Sequence, residues 1–297
     1  MTKRERSSAH QVVGVDRRRR DRSPCGLCGN VGPLTKTHVP AQSAGNKGLV
    51  TRRVFVTDSQ DGESTMKDGP PKIGGIHFYG LCADCNQLQN QYDSAYVELV
   101  DISLPWLNTP LILPTGPREP PRLTLRPGAA ARSVLIPMFG LNTELRNTIP
   151  HVAEALLARD PVVSVRPGWK LRLAIAGGVR ARVSGSVGGF EMFGRRLDGR
   201  PLGVLTMAQV HFPPLAWQLV PSDQSILDLE GWADVSRWLE RPPDEEARFR
   251  DVSSALPVVE LPRHGKRGDL WTELFSDEIT FIVESEDVSP GFRERSA

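Results

Sequence analysis

Four cysteines stand in the chain as two C-x-x-C pairs, Cys25 and Cys28 in "CGLCGN" and Cys82 and Cys85 in "LCADCN". Four soft thiolates are the number that closes a tetrahedral structural zinc site and leaves no position open for catalysis. Gly29, directly after the first pair, suits the tight turn of a zinc knuckle. The second pair falls where a helix from Asn86 begins, and the positive end of a helix favours the thiolate form. Four cysteines in 297 residues are too few for a disulfide scaffold, and their pairing speaks for a metal and a reducing compartment. Neither pair follows the strand-to-helix pattern of a thioredoxin-like redox motif. The 53 residues between the pairs exceed an ordinary zinc-ribbon gap, so a substantial insertion separates knuckle from helix.

Read together, Cys-x-x-Cys, "LTKTHVP" and "HFYGLCADCN" resemble the HNH endonuclease family, in its zinc-stapled four-cysteine form. The resemblance spans about residues 23–100, roughly a quarter of the chain. It implies a treble-clef, ββα-metal fold with His38 as general base, His77 as the residue that positions it, and Asn86 as ligand of a catalytic ion. The implied reaction is hydrolysis of a phosphodiester bond, with nucleic acid, DNA in the first place, as partner. Zinc would be scaffold only, and magnesium or another divalent ion the catalytic metal. On a helical wheel Asn90 and Asp93 fall on the Asn86 face and would add oxygen ligands. Histidine suits the base role because its ordinary pKa lies near neutrality. Thr37 departs from the family, whose members usually carry Asp, Glu or His before the base as a metal ligand. Other readings stay open: His38 could staple the knuckle, His77 could face water from an alternating strand, and Asn86 could cap its helix.

These residues need elements to hold them. After Cys85, Leu88, Tyr92, Ala95, Leu99 and Ile102 form a narrow stripe at helical spacing and predict one helix with its apolar side inward. "TRRVFV" at 51–56 reads as a strand, and the Gly, Pro and Asp-rich stretch after it as a mobile loop. Residues 105–121, with six prolines, read as a linker. Beyond it, "SVLIPMF", "KLRLAIA", "VRARVSG", "GVLTMAQVHF" and "AWQLV" predict strands separated by turns, as in a largely antiparallel sheet. "PHVAEALLAR" and "GWADVSRWLER" predict helices. The expected class is α+β. Its parts are a basic disordered arm at 1–22, the zinc element at 23–104, a linker at 105–121, an α+β domain at 122–285 and a tail at 286–297.

Composition sets the outer limits. A hydrophobic share of 39% supports a real core, and no run reaches the length of a membrane span. With no secretory signal in "MTKRERSSAH", a cytoplasmic location is expected. The formal net charge of +2 hides a basic N-terminus. Arg17, Arg18, Arg19 and Arg20 there, with Arg52 and Arg53, are the candidate phosphate contacts. No phosphate-binding loop and no Gly-x-Ser-x-Gly elbow occurs. His151, His211 and His264 lack ligand partners at metal spacing, and the six tryptophans read as core or interface aromatics, not as a stacking platform. Three functions stand in order: a metal-dependent nuclease, a zinc-stapled binding module without catalysis, and a structural lid on a domain of other purpose.

Overall fold

Local pairing, more than long apolar runs, shapes the first third of the chain. The computed structural model describes residues 10–13, 22–58, 64–68, 72–108, 124–177, 181–189, 204–222, 232–249, 256–259 and 282–285. The first third holds β1 (His10–Val13), β2 (Arg22–Pro24), β3 (Val31–Pro33), β4 (Thr35–His38), β5 (Leu49–Asp58), β6 (Ser64–Asp68), β7 (Lys72–Ile73) and β8 (His77–Leu81). The helices α1 (Ala83–Asn90) and α2 (Asp93–Asn108) follow. β2 with β3 and β4 with β8 make two antiparallel ribbons, the second closing across the long insertion.

Next come β9 (Thr124–Leu125), α3 (Pro127–Leu141), α4 (Glu144–Thr148) and α5 (Pro150–Ala158). The strands β10 (Trp169–Ala176), β11 (Ala181–Gly189), β12 (Val204–Phe212) and β13 (Leu215–Pro221) follow, then β14 (Ala233–Asp234), β15 (Ala247–Arg248), β16 (Val258–Val259) and β17 (Ile282–Ser285). Eleven strands join in one mixed sheet of order β1-β5-β17-β11-β12-β13-β10-β14, with β6 and β7 attached to β5 and β16 running parallel to β10. The class is α+β, as the sequence predicts.

α3 is the centre of the molecule. Pro127 at its first turn has the fixed φ that a helix start needs, and every residue from Pro127 to Leu141 is buried. Apart from Arg132 and Ser133 its side chains are apolar on every face, and such a helix belongs inside a protein. Its last turn touches both neighbours at backbone distance: a Cβ on Gly26 would overlap the Phe139 carbonyl, one on Gly80 the Gly140 carbonyl, and one on Gly185 the Leu141 carbonyl. One continuous cluster of buried residues therefore runs from Cys25 and Leu27, through Phe78, Leu99 and Val134, to Trp217 and Phe249.

α3 also carries a buried cation. Arg132 is 1% exposed, and its guanidinium donates to the carbonyls of Gly128, Arg241, Asp160, Pro161 and Leu239. Burial lowers its pKa. Five carbonyl acceptors replace the water it has left, and the side chain ties α3 to two segments distant in sequence.

Several sequence expectations need correction. "SVLIPMF" is not a strand; it lies inside α3. A short apolar run reads the same for a buried strand and a buried helix, and here the flanking Pro127 and Ala129–Ala131 extend it to helical length. "GWADVSRWLER" is not a helix. Asp234 Oδ1 accepts from the Ser236 N–H at 2.9 Å and from its hydroxyl at 2.5 Å, a side-chain turn that competes with helix. The segment instead gives β14, paired with β10, and a 3-10 turn at Ser236–Trp238. The helix after Cys85 breaks at 91–92 into α1 and α2, and α2 runs to Asn108, into the expected linker. The stretch expected to be a loop after β5 returns as β6, pairing Val54 with Lys67 and Val56 with Thr65. Within the expected arm, His10–Val13 pairs with β5 as β1. The other expected strands are β5 and β10–β13, and "PHVAEALLAR" is α5. Among the described residues no helix is long and apolar enough to cross a membrane.

Candidate metal centre

The first knuckle is built by backbone. The Gly29 N–H donates to the Cys25 carbonyl at 2.8 Å and the Cys25 N–H to the Asn30 carbonyl at 3.0 Å. Gly29 takes φ 79°, which costs a side-chain-bearing residue energy and glycine little. The second pair straddles the start of α1: Cys82 is its cap residue and accepts from the Asn86 N–H at 3.0 Å. The Gly26 N–H donates to the Gly80 carbonyl at 2.9 Å and the Cys82 N–H to Cys25 Sγ at 3.3 Å, so the two knuckles are stitched together.

All four sulfurs lie within 4.8 Å of one another, and Cys28 Sγ is 3.8 Å from Cys82 Sγ. That separation is far beyond a disulfide bond. It equals the edge, about 3.8 Å, of a tetrahedron with metal–sulfur bonds of about 2.3 Å. No disulfide joins the four cysteines, and they could hold a metal such as zinc. Cys25 is drawn down to about 4 by a hydrogen bond from Cys85, helped by backbone N–H groups and opposed by burial. Cys28 is pushed up to about 11, chiefly by burial, and Cys85 is raised by its bond to Cys25 and by burial. One thiolate serves its neighbours as acceptor, and a metal would replace the protons they retain.

β4 and β8 also set two histidines side by side, their rings tilted by 46°. His38 is registered opposite His77 and Thr37 opposite Phe78. Thr37 and Phe78 are 0% and 1% exposed, so the alternation of a strand sends both histidines to the other face, with Lys36 and Tyr79. The His38 and His77 ring centroids are 5.4 Å apart. His38 is lowered to about 4, first by burial, then by His77 and Lys36, so its imidazole is neutral at neutral pH. Its Nδ1 is buried without a hydrogen-bond partner. His77 Nδ1 lies 2.9 Å from the Gly75 carbonyl; a carbonyl only accepts, so the proton sits on Nδ1.

α1 clamps the outer edge of β4. Asn86 Nδ2 donates to the Lys36 carbonyl at 3.1 Å and Gln89 Nε2 to the His38 carbonyl at 3.0 Å. Two amides three residues apart on a helix thus cap two carbonyls two residues apart on a strand edge. Asn90 is exposed. Asp93 begins a new helix beyond the break and its Oδ1 accepts from Ser133 Oγ of α3 at 2.9 Å, so its carboxylate faces α3, and burial raises its pKa. Arg52 and Arg53 lie on β5, registered opposite Val283 and Ile282. Arg17–Arg20 fall outside the described residues. Among the described residues, the cysteine quartet is the one cluster of three or more His, Cys, Asp or Glu placed to hold an ion.

Three residues that sequence reasoning passed over support this site. Asn46, 1% exposed, donates to the Pro40 and Ile76 carbonyls at 2.7 and 2.8 Å and accepts from the Ile76 N–H at 2.6 Å. It thereby joins the segment after His38 to the residue before His77. Gln89 lay one helical turn beyond Asn86, a spacing legible in the sequence. Arg146 of α4 reaches the first knuckle from far along the chain, and no local pattern announces that. Compared with protein-family models, curated proteins and solved structures, the chain matches none.

Proposed function

We propose that the chain is a zinc-framed, HNH-type phosphodiester hydrolase acting on nucleic acid, with His38 as general base. The carrying observation is the cross-strand His38–His77 pair, with His38 held neutral, beside a quartet that fits structural zinc. Cys25, Cys28, Cys82 and Cys85 would bind that zinc as a treble-clef scaffold, fixing β4, β8 and α1 relative to one another. A neutral imidazole can take a proton from water; the water oxygen then bonds to phosphorus, and the bond from phosphorus to the departing sugar oxygen breaks. His77 and Lys36 would hold the phosphate beside that water, and Asn86 and Gln89 keep the His38 strand in place. A divalent ion bound with the phosphate would supply neutralising charge at the departing oxygen.

The residues here do not make a magnesium cage. Magnesium wants anionic oxygen, but Thr37 is buried on the far face and Asp93 serves Ser133. Imidazole nitrogen suits zinc or nickel better. The same buried Thr37 favours a second reading, a nucleic-acid-binding module that keeps the scaffold without the chemistry. Cysteines gathered for a metal and joined by no disulfide fit a reducing compartment, and the cytoplasm is the location this reading implies.

The test is cleavage of supercoiled plasmid and of single-stranded nucleic acid with magnesium, manganese, nickel or zinc added, comparing wild type with His38→Ala at equal zinc content. The nuclease reading expects cleavage that falls at least about 100-fold in the variant. No cleavage by either protein, with retention of nucleic acid that weakens as salt rises, establishes the binding module instead.

A further inference from the structure

Arg146, in α4, ends against the first knuckle. Its Nη1 donates to the Leu27 carbonyl at 2.5 Å. Its Nε, Cζ and Nη2 stand 2.7, 2.9 and 3.2 Å from where a Cβ on Gly29 would be. The guanidinium therefore lies along the Leu27–Gly29 turn that carries Cys28, in the space a side chain at 29 would take. Glycine is required there twice, by φ and by this close approach. No carboxylate among the described residues pairs with Arg146.

A half-buried cation without an acidic partner is an unusual thing to set beside a cluster of thiols. It gains a partner once a divalent metal gathers four thiolates, because that centre carries a net negative charge. We propose that Arg146 is the outer cation of the cysteine site: it fixes the first knuckle through Leu27, offsets the charge of the metal tetrathiolate, and so ties metal affinity to the docking of α4. The proposal rests on reading the quartet as a zinc site. Arg146 is a positioning residue, with no contact to substrate.

The experiment measures zinc affinity of the full chain by competition with a chromogenic chelator, for wild type, Arg146→Met and Arg146→Lys. Cobalt absorption serves as a second readout, and thermal melting of the metal-free proteins as a third. Loss of an outer partner typically weakens a metal site about 10–100-fold. Arg146→Met should show a loss of that order, with the cobalt tetrathiolate spectrum unchanged in shape and metal-free melting close to wild type. Arg146→Lys should recover part of it, keeping the charge without the planar fork. Equal affinity of wild type and Arg146→Met would overturn the role of Arg146 and leave the zinc site standing. A loss matched in full by the metal-free melting would reduce Arg146 to a packing residue and also overturn it. A wild-type chain that takes up no zinc would overturn the metal site itself, and this proposal with it.

Discussion

Thr37 and His38 are neighbours in sequence and strangers in space. The alternation of β4 turns the threonine into the core and the histidine to the face shared with His77, where partial burial and the neighbouring positive groups keep its imidazole neutral. Because His38 titrates near 4, it is neutral through the range in which an ordinary histidine gains its proton. Imidazole proton resonances of His38 should therefore stay unchanged from pH 8 to about 5.5, and any cleavage should keep its acid limb below the usual histidine range. Asn46 holds the same two strands from behind. Asn46→Ala leaves the Ile76 N–H and the Pro40 carbonyl unpaired and the Ile76 carbonyl with the Val39 N–H alone, and should cost roughly 2–4 kcal/mol in urea unfolding, with the His38 and His77 resonances shifting as the strand ends loosen. The cysteines could be read as a unit from the sequence because ligand spacing is a local signature. Asn46 could not, since its three bonds join residues far apart in the chain.

At the level of elements, the fold turns on the last turn of α3. Gly26, Gly80 and Gly185 let that turn lie against knuckle, ribbon and sheet at backbone distance, and the obstacles they would meet are carbonyl groups that have nowhere to go. Gly80→Val should destabilise the protein by about 1–3 kcal/mol through overpacking, read by denaturant unfolding, and should weaken zinc uptake as β8 is pushed off α3. This centre was the least legible part of the sequence. A run such as "SVLIPMF" has no polar side to reveal its period, so only the tertiary setting distinguishes helix from strand. The strands β10–β13 and the helix α5, bounded by turn residues and prolines, announced themselves. "GWADVSRWLER" misled because Asp234 and Ser236 spend their hydrogen bonds locally.

Over the whole molecule, two arginines link segments that no sequence window contains: Arg132 binds α3 to the carbonyls of two distant segments, and Arg146 binds α4 to the first knuckle. The knuckles, the histidine ribbon and the sheet share one continuous core, so metal occupancy should be felt throughout. The thiols of Cys28 and Cys85 hold their protons at neutral pH, because burial raises Cys28 and the bond to Cys25, with burial, raises Cys85. Zinc uptake at pH 7 should therefore expel at least those two protons, measured as a buffer-dependent heat in titration calorimetry. Acid should reverse it, since thiolates regain protons as pH falls.

The four-cysteine zinc site is tested most directly by the zinc X-ray absorption spectrum of the purified chain, with metal content measured on the same sample. One zinc per chain bound by four sulfurs at about 2.3 Å is expected, lost when Cys28 and Cys82 are both replaced by serine. A substoichiometric metal, or a shell in which nitrogen or oxygen replaces sulfur, would contradict it.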